Sequence, residues 1–127
     1  MTTDYRLCIY NGAGTLILNL SAPAGGMCGT KPCWKATRTG FKYKNKTPVP
    51  LNSLTALTLA SGPDGKAKVG ASSKGTTLTI PGLPLNQTTP VRAQLINSFN
   101  STCFESIYSA PANSRPGDTL KWKDKND

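Results

Sequence analysis

The sequence predicts an all-β chain, an antiparallel β-sandwich of the Greek-key or jelly-roll kind with about nine or ten short strands, stapled by disulfides. Three observations carry this expectation. Apolar and polar residues alternate with period two in nearly every apolar segment, as half-buried strands do. Gly or Pro stands in most of the joins between those segments. No segment has a convincing helical period.

Taken in order, the first strand is Tyr5–Tyr10, and Asn11-Gly12 begins a tight turn into a second, Thr15–Leu20. Residues 22–32 form a long Gly/Pro loop. Cys33–Thr37 and Gly40–Lys44 follow, the latter with aromatics on one face and lysines on the other. After a turn around Pro48-Val49-Pro50 comes Leu54–Leu59. Gly62-Pro63-Asp64-Gly65 is a strong turn, because Asp-Gly supplies the positive φ that tight connections need. It opens onto Lys66–Ala71, with Ala67, Val69 and Ala71 expected to face inward. Thr76–Ile80 precedes the proline-bounded segment Pro81–Leu85. Val91–Ile96, Thr102–Tyr108 and Thr119–Lys123 complete the strands. The order of strands within the sheets does not follow from the pattern.

Length and composition bound the rest. Residues 1–127 make one domain, long enough for a single core. No apolar run approaches the roughly 20 residues of a membrane-spanning helix. The opening Met1–Asp4 lacks the basic start and apolar stretch of a signal peptide. With a cysteine-bearing, Thr-rich composition, this leads to the expectation of a unit excised from a longer secreted chain. Fifteen Lys and Arg against six acids give a net charge of +9, which draws polyanions; the favoured reading is that lysines on strand faces keep a β-rich chain soluble and blunt its sheet edges.

Catalytic chemistry is poorly served. The chain has no histidine, so triads of the Ser-His-Asp or Cys-His kind are impossible. Its carboxylates are Asp4, Asp64, Glu105, Asp118, Asp124 and Asp127, and only Glu105 lies within a predicted strand. A glycosidase needs two carboxylates flanking one bond, and Glu105 has no evident partner. A solvated or salt-bridged Glu105 is expected, the acids are too scattered for a calcium site, and neither a cofactor nor a metal is called for.

The lysines alternate along strands. Lys42, Lys44, Lys66, Lys68, Lys121 and Lys123 are therefore expected in solvent, with Phe41, Tyr43, Ala67, Val69, Leu120 and Trp122 facing inward. Residues i and i+1 of a strand face opposite ways, so these lysines cannot share a ligand with Tyr43 or Trp122. That argues against a single-strand nucleic-acid groove and leaves acidic polysaccharide or an anionic cell surface as partners, without membrane insertion. For neutral sugars, Trp34, Tyr43, Tyr108 and Trp122 are the stacking candidates, while a core role is favoured for Phe41, Tyr43 and Trp122.

Four cysteines, Cys8, Cys28, Cys33 and Cys103, read as two disulfides formed in an oxidising compartment. Free buried thiols and a zinc site are the rivals, but zinc ribbons place ligands in two close Cys-x-x-Cys pairs, and only Cys28 and Cys33 are close here. One internal echo stands out. Phe41–Lys46 is matched by Leu120–Lys125, each downstream of a Cys-aromatic pair, Cys33-Trp34 and Cys103-Phe104. A decayed duplication would put those two Cys-aromatic strands in related positions.

The string Cys33-Trp-Lys-Ala-Thr-Arg-Thr-Gly-Phe-Lys-Tyr-Lys-Asn-Lys46, with Gly65–Val69, Leu83–Leu85, Gln94-Leu95 and Cys103–Glu105, resembles a module of predicted secreted bacterial proteins. Two positions depart from its pattern: Asn45 stands for Asp and Phe104 for Trp. The resemblance covers the chain from Leu7 onward and implies secretion and β-structure, and it brings no activity with it. It also implies pairing of Cys33 with Cys103, leaving Cys8 for Cys28. A local Cys28–Cys33 bridge, with Cys8 left for Cys103, is the alternative.

Together these readings point to a non-catalytic extracellular accessory, spacer or adhesion module of a larger secreted protein. A carbohydrate-binding module for acidic polysaccharide is the alternative.

Overall fold

A computed structural model of the chain describes residues 2–46, 52–74, 82, 85 and 89–112. Among these the chain is all-β, without a helix. Ten strands form: β1 (Tyr5–Tyr10), β2 (Leu16–Ala22), β3 (Met27–Cys28), β4 (Lys31–Pro32), β5 (Trp34–Thr37), β6 (Gly40–Lys44), β7 (Ala56–Ala60), β8 (Lys68–Ser72), β9 (Val91–Asn97) and β10 (Cys103–Tyr108). The segments expected as strands at Thr76–Ile80 and Thr119–Lys123 lie outside the described residues.

Two four-stranded antiparallel sheets result. The first has the order β10-β9-β1-β2, so hairpins from the two ends of the chain meet along β1 and β9. The second, β5-β6-β7-β8, is a meander of successive neighbours. Local chemistry sets the connections. At the β1–β2 turn, the Asn11 carboxamide oxygen accepts from the amides of Ala13 and Thr15, both at 3.0 Å, and Gly14 takes the positive φ of 79°. At the β7–β8 turn it is Gly65, with φ 72°, that does so.

The core lies between the inner faces of the two sheets. Tyr5, Leu20, Ala22 and Leu95 of the first sheet pack with Trp34, Tyr43 and Leu57 of the second. Cross-strand register explains the selection: Leu20, Leu7 and Leu95 are direct partners in the first sheet, as are Trp34, Tyr43 and Leu57 in the second. The Trp34 ring sits between Tyr5 and Tyr43, with centroids 5.7 and 5.1 Å away and planes tilted. Its indole N–H donates to the Pro23 carbonyl at 2.7 Å. One edge of the sandwich is stitched by main chain. The Ser21 amide donates to the Asn52 carbonyl (3.1 Å) and the Leu54 amide to that of Ser21 (2.8 Å), so residues 52–54 run parallel beside β2 and bring Leu54 into full burial.

Three expectations are corrected. The Gly/Pro loop is a small β3–β4 ribbon, and a Cys28–Cys33 disulfide closes it with Cα atoms 4.9 Å apart. The pairing that the resemblance implied, Cys33 with Cys103 and Cys8 with Cys28, is therefore not the one formed. Nor do Cys8 and Cys103 bond to each other: both thiols are free. Strand β9 lies between theirs, and two strand spacings of about 5 Å exceed the roughly 7 Å Cα separation that a disulfide tolerates. The matched pairs Cys33-Trp34 and Cys103-Phe104 nonetheless border edge strands of different sheets. Finally, Val69 and Ala71 share the inner face with Leu59 and Leu57 as expected, but β8 is exposed along its whole length and neither is buried; Ala67, ahead of the strand, is exposed too.

Thiol chemistry checks this arrangement. Non-reducing peptide mapping should return Cys28 and Cys33 in one linked fragment, while a maleimide labels Cys103 at once and Cys8 only on unfolding. Burial pushes the Cys8 thiol up, against the opposing influence of Arg6 and a hydrogen bond with Tyr10. The protonated thiol is thus the folded form. Its contribution to stability is present at neutral pH and is lost as pH climbs past the ordinary thiol range. Opening the small Cys28–Cys33 loop should cost about 2 kcal/mol on the chain-entropy argument.

Candidate functional site

Two surfaces of the second sheet stand out, one on each face. The register places Lys35 opposite Lys42, Lys44 two residues further along β6, and Lys68 opposite Ala60. All four side chains belong to the outer face, because Trp34, Phe41, Tyr43, Leu57 and Leu59 occupy the inner one. Each is exposed. Between them lie only small residues: Thr37, Gly40, Ala56, Thr58, Ala60, Gly70 and Ser72. No carboxylate occurs in β5, β6, β7 or β8, and the nearest along the chain, Asp64, is in the β7–β8 turn. Among the described residues, the result is a cationic face that carries no carboxylate.

The lysine expectation is met where it can be examined. Lys42, Lys44, Lys66 and Lys68 are exposed, with Lys66 in the turn before β8, and Tyr43 is buried at 2%. Lys121 and Lys123, with Leu120 and Trp122, lie outside the described residues. Lys35 completes the face. Sequence reasoning did not single it out, although its alternation with Trp34 carries the same signal as Lys42 beside Tyr43.

On the inner face the packing is uneven. Tyr43 and Leu57 are sealed, whereas Phe41, their neighbour along the same face, is 40% exposed and Val69 is 50% exposed. The sheets part here into a cleft of about 1010 Å³. Phe41, Leu59 and Val69, successive cross-strand partners, form one wall. Phe104, Ser106 and Tyr108 of β10 form the other, alternating along the strand with outward-facing Glu105 and Ile107. Arg38 in the β5–β6 turn also lines the cleft, and the start of β8 at Lys68, whose side chain belongs to the outer face, borders it. Phe41 thus faces inward as expected without joining the core. Of the proposed stacking residues, Trp34 and Tyr43 are core and Tyr108 is half-buried in the cleft wall. Phe104 and Arg38 were not anticipated at a site; the Phe-x-Ser-x-Tyr alternation of β10 is a signal for Phe104, and Arg38 in its turn has none.

Glu105 is on the outer face of the first sheet, away from the cleft. It accepts from the Gln94 carboxamide at 2.7 Å and lies 4.0 Å from the Arg92 guanidinium. Asp4 caps a different corner, accepting from the Ala24 amide at 2.5 Å. With Asp64 in its turn, the three described carboxylates occupy three separate regions. Among the described residues no group of three or more acids or cysteines is placed to hold a metal ion. No helix of the described chain is long and apolar enough to cross a membrane. No family model, curated protein or solved structure matches the chain.

Proposed function

We propose that the chain is a non-catalytic extracellular accessory or adhesion module whose lysine face holds acidic polysaccharide. The observation that carries this reading is the outer face of the second sheet, where Lys35, Lys42, Lys44 and Lys68 stand among small residues with no carboxylate among the described residues of that face. A flexible anionic polymer can lie across such a face and neutralise several ammonium groups together. The face has no aromatic ring on which a nucleic-acid base would stack, which disfavours single-stranded nucleic acid. It also has no large apolar side chain to enter a bilayer. The Cys28–Cys33 disulfide is compatible with an oxidising compartment. A binding role rather than a catalytic one is favoured by the lack of histidine and by the dispersal of Asp4, Asp64 and Glu105.

Affinity measurements on heparin, polygalacturonate and neutral dextran test the reading. The two polyanions should bind at about 0.05 M salt and release by about 0.5 M, where screening shrinks the reach of surface charge to a few ångströms. Dextran should not bind. Replacing Lys35, Lys42 and Lys44 together by glutamine should weaken polyanion binding by about tenfold or more. Equal affinity for dextran, or binding insensitive to salt, would remove the charge from the explanation.

A further inference from the structure

We infer that the cleft between the sheets binds amphipathic anions, of which a medium-chain fatty acid carboxylate is the type. Three large apolar side chains converge there although each is substantially exposed: Phe41 at 40%, Val69 at 50% and Phe104 at 51%. They come from three strands and both sheets, so they form one contiguous apolar surface rather than scattered exposure. A surface of that kind left in water marks a binding site more often than chance. Its mix of apolar walls with a few polar groups is that of small-molecule sites.

Charge selects the ligand's head. Arg38 lines the cleft, and among the described residues no carboxylate does. Arg38 takes part in no ion pair among the described residues. A carboxylate entering the cleft therefore meets an Arg fork suited to bidentate pairing. A cationic head would meet repulsion from the same guanidinium.

The walls select the body. Leu59, Val69 and the Phe41 and Phe104 rings offer hydrocarbon contact, beside the hydroxyls of Ser106 and Tyr108 on the β10 wall. A sugar ring would meet few partners along the four apolar side chains, at a cost for each hydroxyl left unpaired. An alkyl chain has no such requirement and gains with every methylene buried.

Titration calorimetry on the whole chain with decanoate, butyrate and decyltrimethylammonium separates these contributions. Decanoate should bind. Butyrate, with the same head and six fewer methylenes, should bind at least about a hundredfold more weakly. The ammonium amphiphile should be weaker by about tenfold or more. Arg38→Gln and Phe104→Ser, both at exposed positions, should each weaken decanoate by about tenfold. In the unsubstituted protein, amide shifts on adding decanoate should concentrate at Phe41, Leu59 and Phe104, a readout that needs no variant to fold. The inference is overturned if the ammonium compound binds as well as decanoate, if Arg38→Gln changes nothing, or if the shifts map to Lys35 and Lys42. The Lys35/Lys42/Lys44 triple glutamine variant distinguishes the two sites, since it should lose heparin and keep decanoate. Loss of decanoate binding alone refutes the cleft and leaves the polysaccharide reading intact.

Discussion

Replacing Trp34 by alanine should destabilise the domain by about 3–5 kcal/mol, a large part of the 5–15 kcal/mol that holds a domain of this size folded. The residue is 7% exposed and joins the two sheets, with the Tyr5 ring on one side and the Tyr43 ring on the other. Truncation removes both ring contacts and leaves a void that the flanking strands cannot close without giving up their registers. A second loss is polar. The indole N–H donates at 2.7 Å to the carbonyl of Pro23, where the chain leaves β2 for the β3–β4 ribbon. Trp34→Phe keeps an aromatic ring at the position but loses that donor and part of the bicycle, so it should cost less than the alanine variant, about 1–3 kcal/mol. Urea unfolding followed by circular dichroism reads both. A loss under about 1 kcal/mol for Trp34→Ala would mean that the aromatic trio does not hold the sheets together.

Much of this architecture was legible because it depends on near neighbours in the chain. The alternation in Gly40–Lys44 placed Lys42 and Lys44 opposite Tyr43, and the Asp64-Gly65 pair located a turn, since both follow from covalent geometry over a few residues. What escaped depends on distant parts. Alternation assigned Val69 and Ala71 to an inward face, but it carries no information on whether a facing sheet reaches that far. At β8 it does not bury them. The same limit hid the cleft: Phe41 reads as a core residue, and only the parting of the sheets leaves it exposed beside Phe104.

The cysteines show the limit from another side. Two-residue strands have no period to detect, so β3 and β4 read as loop, and nothing marked Cys28 and Cys33 as flanking a ribbon. A pairing drawn from resemblance filled that gap and was not the one formed. The spacing that governs a disulfide is measured in space, and the small ribbon brings the two Cα atoms to 4.9 Å.

Glycine positions give the sharpest contrast between two changes that look alike in the sequence. Gly40→Ala should destabilise by about 1–3 kcal/mol, towards the upper end, whereas Gly70→Ala should be neutral or stabilising by up to about 1 kcal/mol. Both residues are strand glycines of the second sheet, and both lie on its outer face. At Gly40 an added Cβ would overlap the Leu59 carbonyl and crowd the Ala60 Cα. Those atoms are backbone, so they cannot rotate away. Relief requires β6 and β7 to separate where Gly40 pairs with Ala60. At Gly70 the same methyl meets nothing within 4 Å, and alanine lowers the entropy of the unfolded chain without a steric penalty. The consequence of the first change also reaches the cleft, because Gly40 precedes Phe41 and itself lines the opening. Gly40→Ala should therefore weaken decanoate binding and speed amide exchange at Phe41 and Leu59, while Gly70→Ala leaves both unchanged. Equal melting shifts for the two variants would show that β6 and β7 do not approach as closely as their register requires.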